Sequence, residues 1–316
     1  MLINLRYASN AASLSAIWGL LAVSILWGTS YGVSKPLLMH FSVQQILFLR
    51  FVIAFVALGI LIIKNRSYLV FLHSPQPYVI VGVSTGIVLT SIFLAETWAL
   101  MSSHANQVAV LISLCVLFTP ILERIWLKAV LPPLLWMYGL GSVIGVILIT
   151  GEHSLNINFS SGTLLILLAA ILRAVMVVSC RKAFSTYELQ TDVVTFIQLS
   201  IVTTVSLILV IQDASHPSLI HTLKFASTQD YLSIVYLALG CTLLAFILQN
   251  HSVKSLDASH ASLLMGTEPL FGLLFSVIFL QETLLPLQWA GSLLIVCATM
   301  IACYQFSNHN RTKLDR

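Results

Sequence analysis

Apolar runs of about 18 residues or more, separated by short polar punctuation, recur along the whole chain. They predict ten membrane-spanning helices, with cores near 17–35, 44–63, 78–100, 104–126, 134–151, 162–180, 193–211, 231–253, 258–280 and 287–306. The expected fold is an all-α polytopic membrane protein. The first run follows Arg6 and looks like a signal peptide, but the runs after it argue that it stays as a span. The longest hydrophilic connection, about 212–230, is too short for a soluble domain.

The pattern also repeats. Placing residue n beside n+153 aligns TWALMSSHANQVAVLISLCVLF (97–118) with NHSVKSLDASHASLLMGTEPLF (250–271), and Trp136 with Trp289. Few identities match. What matches is a polar hairpin, a long apolar helix with one proline, a short Leu/Pro-rich loop and a last helix. Two repeats of five spans follow, 1–153 and 154–316. Because five is odd, the halves lie in opposite orientation, the layout of secondary transporters whose site sits near midplane. Pro120 and Pro269 are expected to interrupt corresponding helices.

Composition narrows the class further. Hydrophobic residues make up 58% of the chain, charged residues 8%, and mean hydropathy is +0.97, far from the roughly one-quarter charged content of a soluble domain. The net charge of +4 needs no nucleic-acid partner, because the positions of the positive charges are more informative. With the N-terminus in the cytoplasm, Arg6, Lys64, Arg66, Arg124, Lys128, Arg181, Lys182, Lys254, Arg311, Lys313 and Arg316 fall on the cytoplasmic side. Only Lys35 and Lys224 fall opposite, and Arg50 and Arg173 lie within spans. The positive-inside rule then puts both termini in the cytoplasm, as expected for a multi-pass protein of a plasma (bacterial inner) membrane. The five cysteines, Cys115, Cys180, Cys241, Cys297 and Cys303, sit in apolar segments without close pairing and read as packed thiols.

A charged side chain at the bilayer centre costs about 2.5–3.5 kcal/mol on insertion scales, so each normally faces protein or water. The intramembrane candidates are Arg50, Glu96, Glu123, Arg173 and Glu268. Glu123 lies beside Arg124 near a cytoplasmic end and reads as an interfacial pair. Glu96 is matched by Gln249 across the repeat, and the two are expected to face each other over a pseudo-two-fold axis; they could equally be interhelical hydrogen bonds worth about 0.6 kcal/mol each. Asn106 and Gln107 match Ser259 and His260, although His104 and His260 also suit a membrane interface. Glu268 precedes Pro269, which cannot donate to a carbonyl one turn earlier, so the helix is expected to weaken near Met265. Two readings of Glu268 stand: it faces a water-filled cavity, where it could carry a proton or bind a substrate amine, or it is permanently buried against an arginine such as Arg50 or Arg173.

Several patterns are decoys. GVSTG (82–86) matches a nucleophile elbow but lies within a spanning helix, without the strand-turn-helix context that motif needs. Like Gly28/Gly32 and Gly141/Gly145, it reads as a close-packing surface. No Walker loop, HExxH or paired-cysteine metal motif occurs, so the sequence supports no catalytic residue, cofactor or metal site.

LWGTSYGVSK (26–35) followed by LRFVIAFVALGILI (49–62) resembles the opening helices of the EamA family of the drug/metabolite transporter superfamily. TEPLFGLLFSVIFLQETLLPLQWAGSLLIV (267–296) resembles that family's signature for its last two helices, with Pro269, Glu282 and Gly291 in place. The resemblance implies ten helices in two inverted repeats and export of amino acids or related small metabolites. Three positions depart from the family pattern: Ala129 beside Lys128 where Glu282 has its match, Val116 where a proline is expected, with Pro120 four residues on, and Arg173 where many relatives carry an aromatic residue.

The sequence thus reads as a secondary transporter that moves a small polar or zwitterionic metabolite outward by alternating access, with protons as a candidate coupling ion and the bilayer as its environment. Import, an intramembrane enzyme and a membrane sensor are the competing readings. Candidate substrate-binding residues are Trp27, Ser30, Tyr31, Glu96, Trp98, Asn106, Arg173, Gln249, His260 and Glu268. Trp27 and Tyr31 are four apart on one helical face and suit either a substrate body or helix packing. Arg173 offers a bidentate fork to a carboxylate. Arg50, near the outer end of its span, reads as structural.

Overall fold

The computed structural model describes residues 2–102, 108, 111–129, 131, 133–150, 161–280 and 285–314. Among them the regular structure is helical throughout: α1 (Leu2–Leu37), α2 (Val43–Lys64), α3 (Tyr68–His73), α4 (Pro75–Ser102), α5 (Cys115–Trp126), α6 (Pro133–Thr150), α7 (Ser161–Thr186), α8 (Thr191–Gln212), α9 (Leu219–Phe225), α10 (Thr228–Val235), a π-helical segment (Tyr236–Leu244), α11 (Ala245–Ser255), α12 (Ala258–Met265), α13 (Glu268–Leu280) and α14 (Pro286–Leu314). Among the described residues, six helices are long and apolar enough to cross a membrane, counting α10 through α11 as one, and α6 and α14 carry shorter apolar stretches. The short α3 and α9 fill connections that the apolar pattern leaves as loops.

Local chemistry sets several helix starts. Ser42 and Gln45 form a reciprocal capping box at α2, and Ser227 and Asp230 do the same at α10. The packing between elements is reciprocal. α1 lies along α11 as α4 lies along α7, α1 touches α12 and α13 as α7 touches α5, and α2 pairs with α8 as α6 pairs with α14. Exchanging the halves maps this set of contacts onto itself. Glycines make the closest crossings: a Cβ on Gly28 would lie 2.4 Å from the Glu268 carbonyl oxygen, and one on Gly145 would lie 2.8 Å from that of Gly291. The GVSTG glycines meet Ile197 and Ile201 on α8, a helix-packing surface with no nucleophile geometry.

The ninth predicted span is two helices. α12 stops at Met265, Gly266 and Thr267 turn, and α13 starts at Glu268 with Pro269 in its first turn, where a missing N–H is harmless. In the first half the matching turn falls at Leu114, which the repeat offset pairs with Thr267. Pro120 does not make that break, contrary to expectation: it lies inside α5, six residues further on. The two interruptions touch, since the Val116 side chain occupies the place where a Gly266 Cβ would be. Contact between the halves, not proline alone, therefore fixes where these helices break.

Glu123 also departs from expectation. It does not form a surface pair with Arg124; it is buried, and its carboxylate accepts hydrogen bonds from the backbone N–H groups of Ala258 (3.0 Å) and Ser259 (2.8 Å) and from the Ser259 hydroxyl. An anion from α5 thus caps the N-terminus of α12, where the unpaired amides and the helix dipole favour negative charge. Cys115, Cys180, Cys241 and Cys297 are free thiols; the first three are packed inside, whereas Cys297 is exposed on α14.

Candidate functional site

α7 brings Arg173 to the middle of the molecule, opposite α4 on one side and the start of α13 on another. Its Nε donates to Glu96 Oε1 at 2.8 Å and its Nη1 to Glu268 Oε2 at 2.7 Å. All three side chains are largely withdrawn from the surface, the arginine retaining 14% exposure. The guanidinium lies over the Trp27 ring, 4.7 Å from its centroid, a cation–π contact. The Tyr31 hydroxyl stands 3.5 Å from Nη2 and beside Glu268. Of the two readings of Glu268, the buried ion pair is the arrangement observed here, and its partner is Arg173, not Arg50.

Arg50 holds a different position. Its Nη2 donates to the Cys241 carbonyl at 3.0 Å, its Nε to the Thr242 hydroxyl, and its guanidinium sits 4.7 Å from the Phe93 ring centroid. The Cys241 carbonyl also accepts from the Trp27 indole at 3.0 Å. The π-helical segment thus presents one carbonyl to two donors, and this holds the indole against Arg173. π-turns of this kind recur at functional sites.

Two cavities meet at this cluster. The first is lined by Leu89, Ile92, Met176, Val177, Gln249 and Met265, among others, and the second by Ser30, Tyr31, Ser34, Arg50, Glu96, Thr97 and Leu100. Trp27, Phe93 and Arg173 line both. Chain direction shows which way each extends. α1, α4 and α12–α13 run one way and α7 and α11 the other: Ser24 meets Leu264 and Gly28 meets Glu268, Gly19 meets Ser252 but Trp27 meets Cys241, Glu96 meets Arg173 while Thr85 and Cys180 share Gln198, and Arg181 meets Lys254. The first cavity is built from residues before the Arg173 level on the ascending helices and after it on the descending ones. The second is built from residues after that level on α1 and α4. The cavities therefore lie on opposite sides of a partition made by Arg173, Trp27 and Phe93.

The sequence-predicted residues separate accordingly. Trp27, Ser30, Tyr31, Glu96, Arg173 and Gln249 line the cavities, and Glu268 is bonded to Arg173. Glu96 and Gln249 do not face each other; they line different cavities. The residues that meet at the pseudo-axis are Phe93 and Phe246, related by the same offset, with ring centroids 5.9 Å apart. Trp98 is 41% exposed on the outer face of α4. His260 sits beside Asp257 near the start of α12, on the helix end that Glu123 caps and with the Gly266–Thr267 turn between it and Glu268. Asn106, with His104 and Gln107, lies outside the described residues, as does Glu282. The reading from sequence missed Phe93 and Phe246. A signal was available: each precedes its matched polar residue, Glu96 or Gln249, by three positions and so shares its helical face.

Cation and anion are formally balanced, with Arg50 and Arg173 against Glu96 and Glu268. Such a cluster offers both charge types to a ligand without leaving a net buried charge.

The family model of the EamA-like transporter family matches residues 14–151 and 160–304, one match in each half. A protein of Haemophilus influenzae described as an uncharacterized transporter is 32% identical over 123 residues, covering 39% of this chain and 68% of that protein. A crystal structure described simply as that of a protein superposes with a TM-score of 0.73 over 96% of this chain and 98% of its own, at 19% identity, a likeness of fold alone. With two matches that together span nearly the whole chain, and a helical fold whose contacts are reciprocal between them, the protein belongs to the EamA-like transporter family.

Proposed function

We propose that the protein is a secondary transporter that carries a small polar or zwitterionic metabolite, such as an amino acid or a related compound, out of the cell by alternating access. The observation that carries this reading is the Arg173 partition: a charged cluster buried at mid-depth, with a cavity on either side. A transporter of this kind needs a central site reachable from one side at a time, and inverted repeats supply two related conformations from one architecture. The proposal includes ten crossings, repeats at 1–153 and 154–316, cytoplasmic termini and residence in a plasma (bacterial inner) membrane. Glu96 and Glu268 give proton coupling a chemical basis, since protonation of either would release one arm of Arg173.

The test is mass spectrometry of the medium from cells producing the wild type, an equally abundant Glu268→Gln variant, or neither. A small set of metabolites accumulating outside with wild type alone names the cargo and supports export. Identical media with folded, membrane-inserted protein would refute outward transport.

A further inference from the structure

We propose that the two arms of the Arg173 cluster have different roles: Glu96 is a positioning residue that fixes the guanidinium, and the Arg173–Glu268 arm opens to admit a zwitterion. The ligand carboxylate takes the place of Glu268 on the guanidinium while its ammonium pairs with Glu268. This deepens the transport reading and rests on it.

The core divides between the two arms. Glu96 and Arg173 project from helices that share one core, in which Ala95, Ala99 and Leu100 of α4 pack with Ile166, Ala169 and Ala170 of α7. Leu263, Leu264 and Met265 of α12 belong to that core and to the main cluster beside it. Past the Gly266–Thr267 turn the allegiance changes. Leu270 of α13 packs in a separate small cluster with Val146 of α6 and Ile295 of α14. Glu268 is thus the first residue beyond a break that is also a boundary between cores.

α13 makes no extended contact with α7, so the 2.7 Å bond from Arg173 to Glu268 bridges this boundary, whereas the 2.8 Å bond to Glu96 stays within one core. Where α13 meets α1, at Gly28 and Gly272, backbone lies on backbone. Small residues let the two backbones approach this closely, with no side chain interposed between the glycines. A shift of α13 along α1, taken up in the Gly266–Thr267 turn, therefore parts Glu268 from Arg173 and leaves Glu96 and the Trp27 contact in place.

Charge decides what enters. Parting the arm alone leaves two buried charges less well paired, which is costly. A zwitterion replaces one ion pair with two and keeps the cluster's net charge unchanged; a lone anion or cation does not. The buried Gln249 Oε1, which has no hydrogen-bond partner among the described residues, lines the first cavity together with Arg173 and provides a further acceptor for the ligand's ammonium.

The test is the reactivity of Arg173 itself. Full-length protein in nanodiscs is treated with phenylglyoxal, and peptide mass spectrometry gives the modification rate of Arg173 relative to Arg50, which is buried and held from the π segment. Glu268→Gln raises this ratio about tenfold, the change expected for loss of one charge-assisted hydrogen bond, and Glu96→Gln, whose amide oxygen stays held within the shared core and still accepts from Nε, raises it clearly less. An equal rise with both variants, a larger rise with Glu96→Gln, or no rise with either overturns the division of roles. General loosening shows itself as a parallel rise at Arg50 and also counts against it. If Glu96→Gln is not monodisperse, Glu96→Asp takes its place with the same expected result.

In the second arm of the experiment, a mixture of the proteinogenic amino acids other than arginine and cysteine lowers the Arg173-to-Arg50 modification ratio of the wild type, whereas equimolar sodium acetate with ethylammonium chloride does not. Protection by the separate ions to the same degree, or by neither addition, overturns the zwitterion assignment. Modification as expected in cells' worth of protein that exports nothing refutes the transport reading and leaves the division of roles intact; export with the wrong modification pattern does the reverse.

Discussion

Arg173 is the residue on which the centre of the molecule depends. Its guanidinium satisfies two buried carboxylates at once, so removing it strands both, and breaking a buried pair by deleting one partner costs about 3–5 kcal/mol. Arg173→Met is expected to lower the thermal unfolding midpoint of the detergent-solubilised protein by several degrees, and adding Glu96→Gln and Glu268→Gln to it should recover most of the loss. A single variant as stable as wild type would mean that the carboxylates do not depend on Arg173 for their neutralisation. Trp27 contributes differently. Its indole N–H is fixed by the Cys241 carbonyl, so its face is presented to Arg173 by a helix from the other half of the chain.

At the scale of elements, the interrupted helices matter most. α12 is short, and its N-terminus receives a carboxylate from α5 in the other repeat. Glu123→Ala removes the acceptor for three donors at that end and is expected to destabilise by about 1–2 kcal/mol, in the range of a lost N-cap in a favourable, partly buried setting. Glu123→Gln, which keeps an acceptor but loses the charge, should fall between. Unfolding of the purified variants measures both, and equal stability of all three proteins would show that the cap is dispensable. The turn at Gly266–Thr267 is secured by other means: Leu264 O accepts from Ser24 Oγ at 2.9 Å and from Thr267 Oγ1 at 2.7 Å. Carbonyls freed by the break thus find partners within protein, the condition under which non-helical backbone is tolerated at membrane depth.

For the whole molecule, the reciprocal packing of the two halves and the placement of cavities on either side of Arg173 belong together. In an inverted repeat, a cavity built by one half toward one face has a counterpart built by the other half toward the opposite face, and Glu96 and Gln249 are matched residues in such cavities. In the proposed orientation, which rests on the distribution of Lys and Arg, α1 begins at the cytoplasmic face. An epitope tag at the C-terminus is therefore expected to be reached by antibody only after cells are permeabilised. Detection on intact cells would invert the orientation, and with it the cavity assigned to each compartment.

The sequence by itself determined the class of protein, the duplication and the inventory of buried charges. Each of these is a local quantity: the length of an apolar run, its recurrence at a fixed offset, or a charged residue within a run. The weak point near Met265 was legible for the same reason, because Pro269 acts on its own turn. Only the tertiary structure decided which charges meet. These helices are apolar nearly all round, so no amphipathic stripe declares which side faces inward, and about 100° of rotation per residue separates a cavity wall from the outer surface. Glu96 and Trp98 are two positions apart, yet one bonds Arg173 and the other lies on the outer face. Arg50 and Arg173 were equally plausible partners for Glu268 in the sequence; the depth and rotation of α7 gave the carboxylate to Arg173, while the π segment took Arg50.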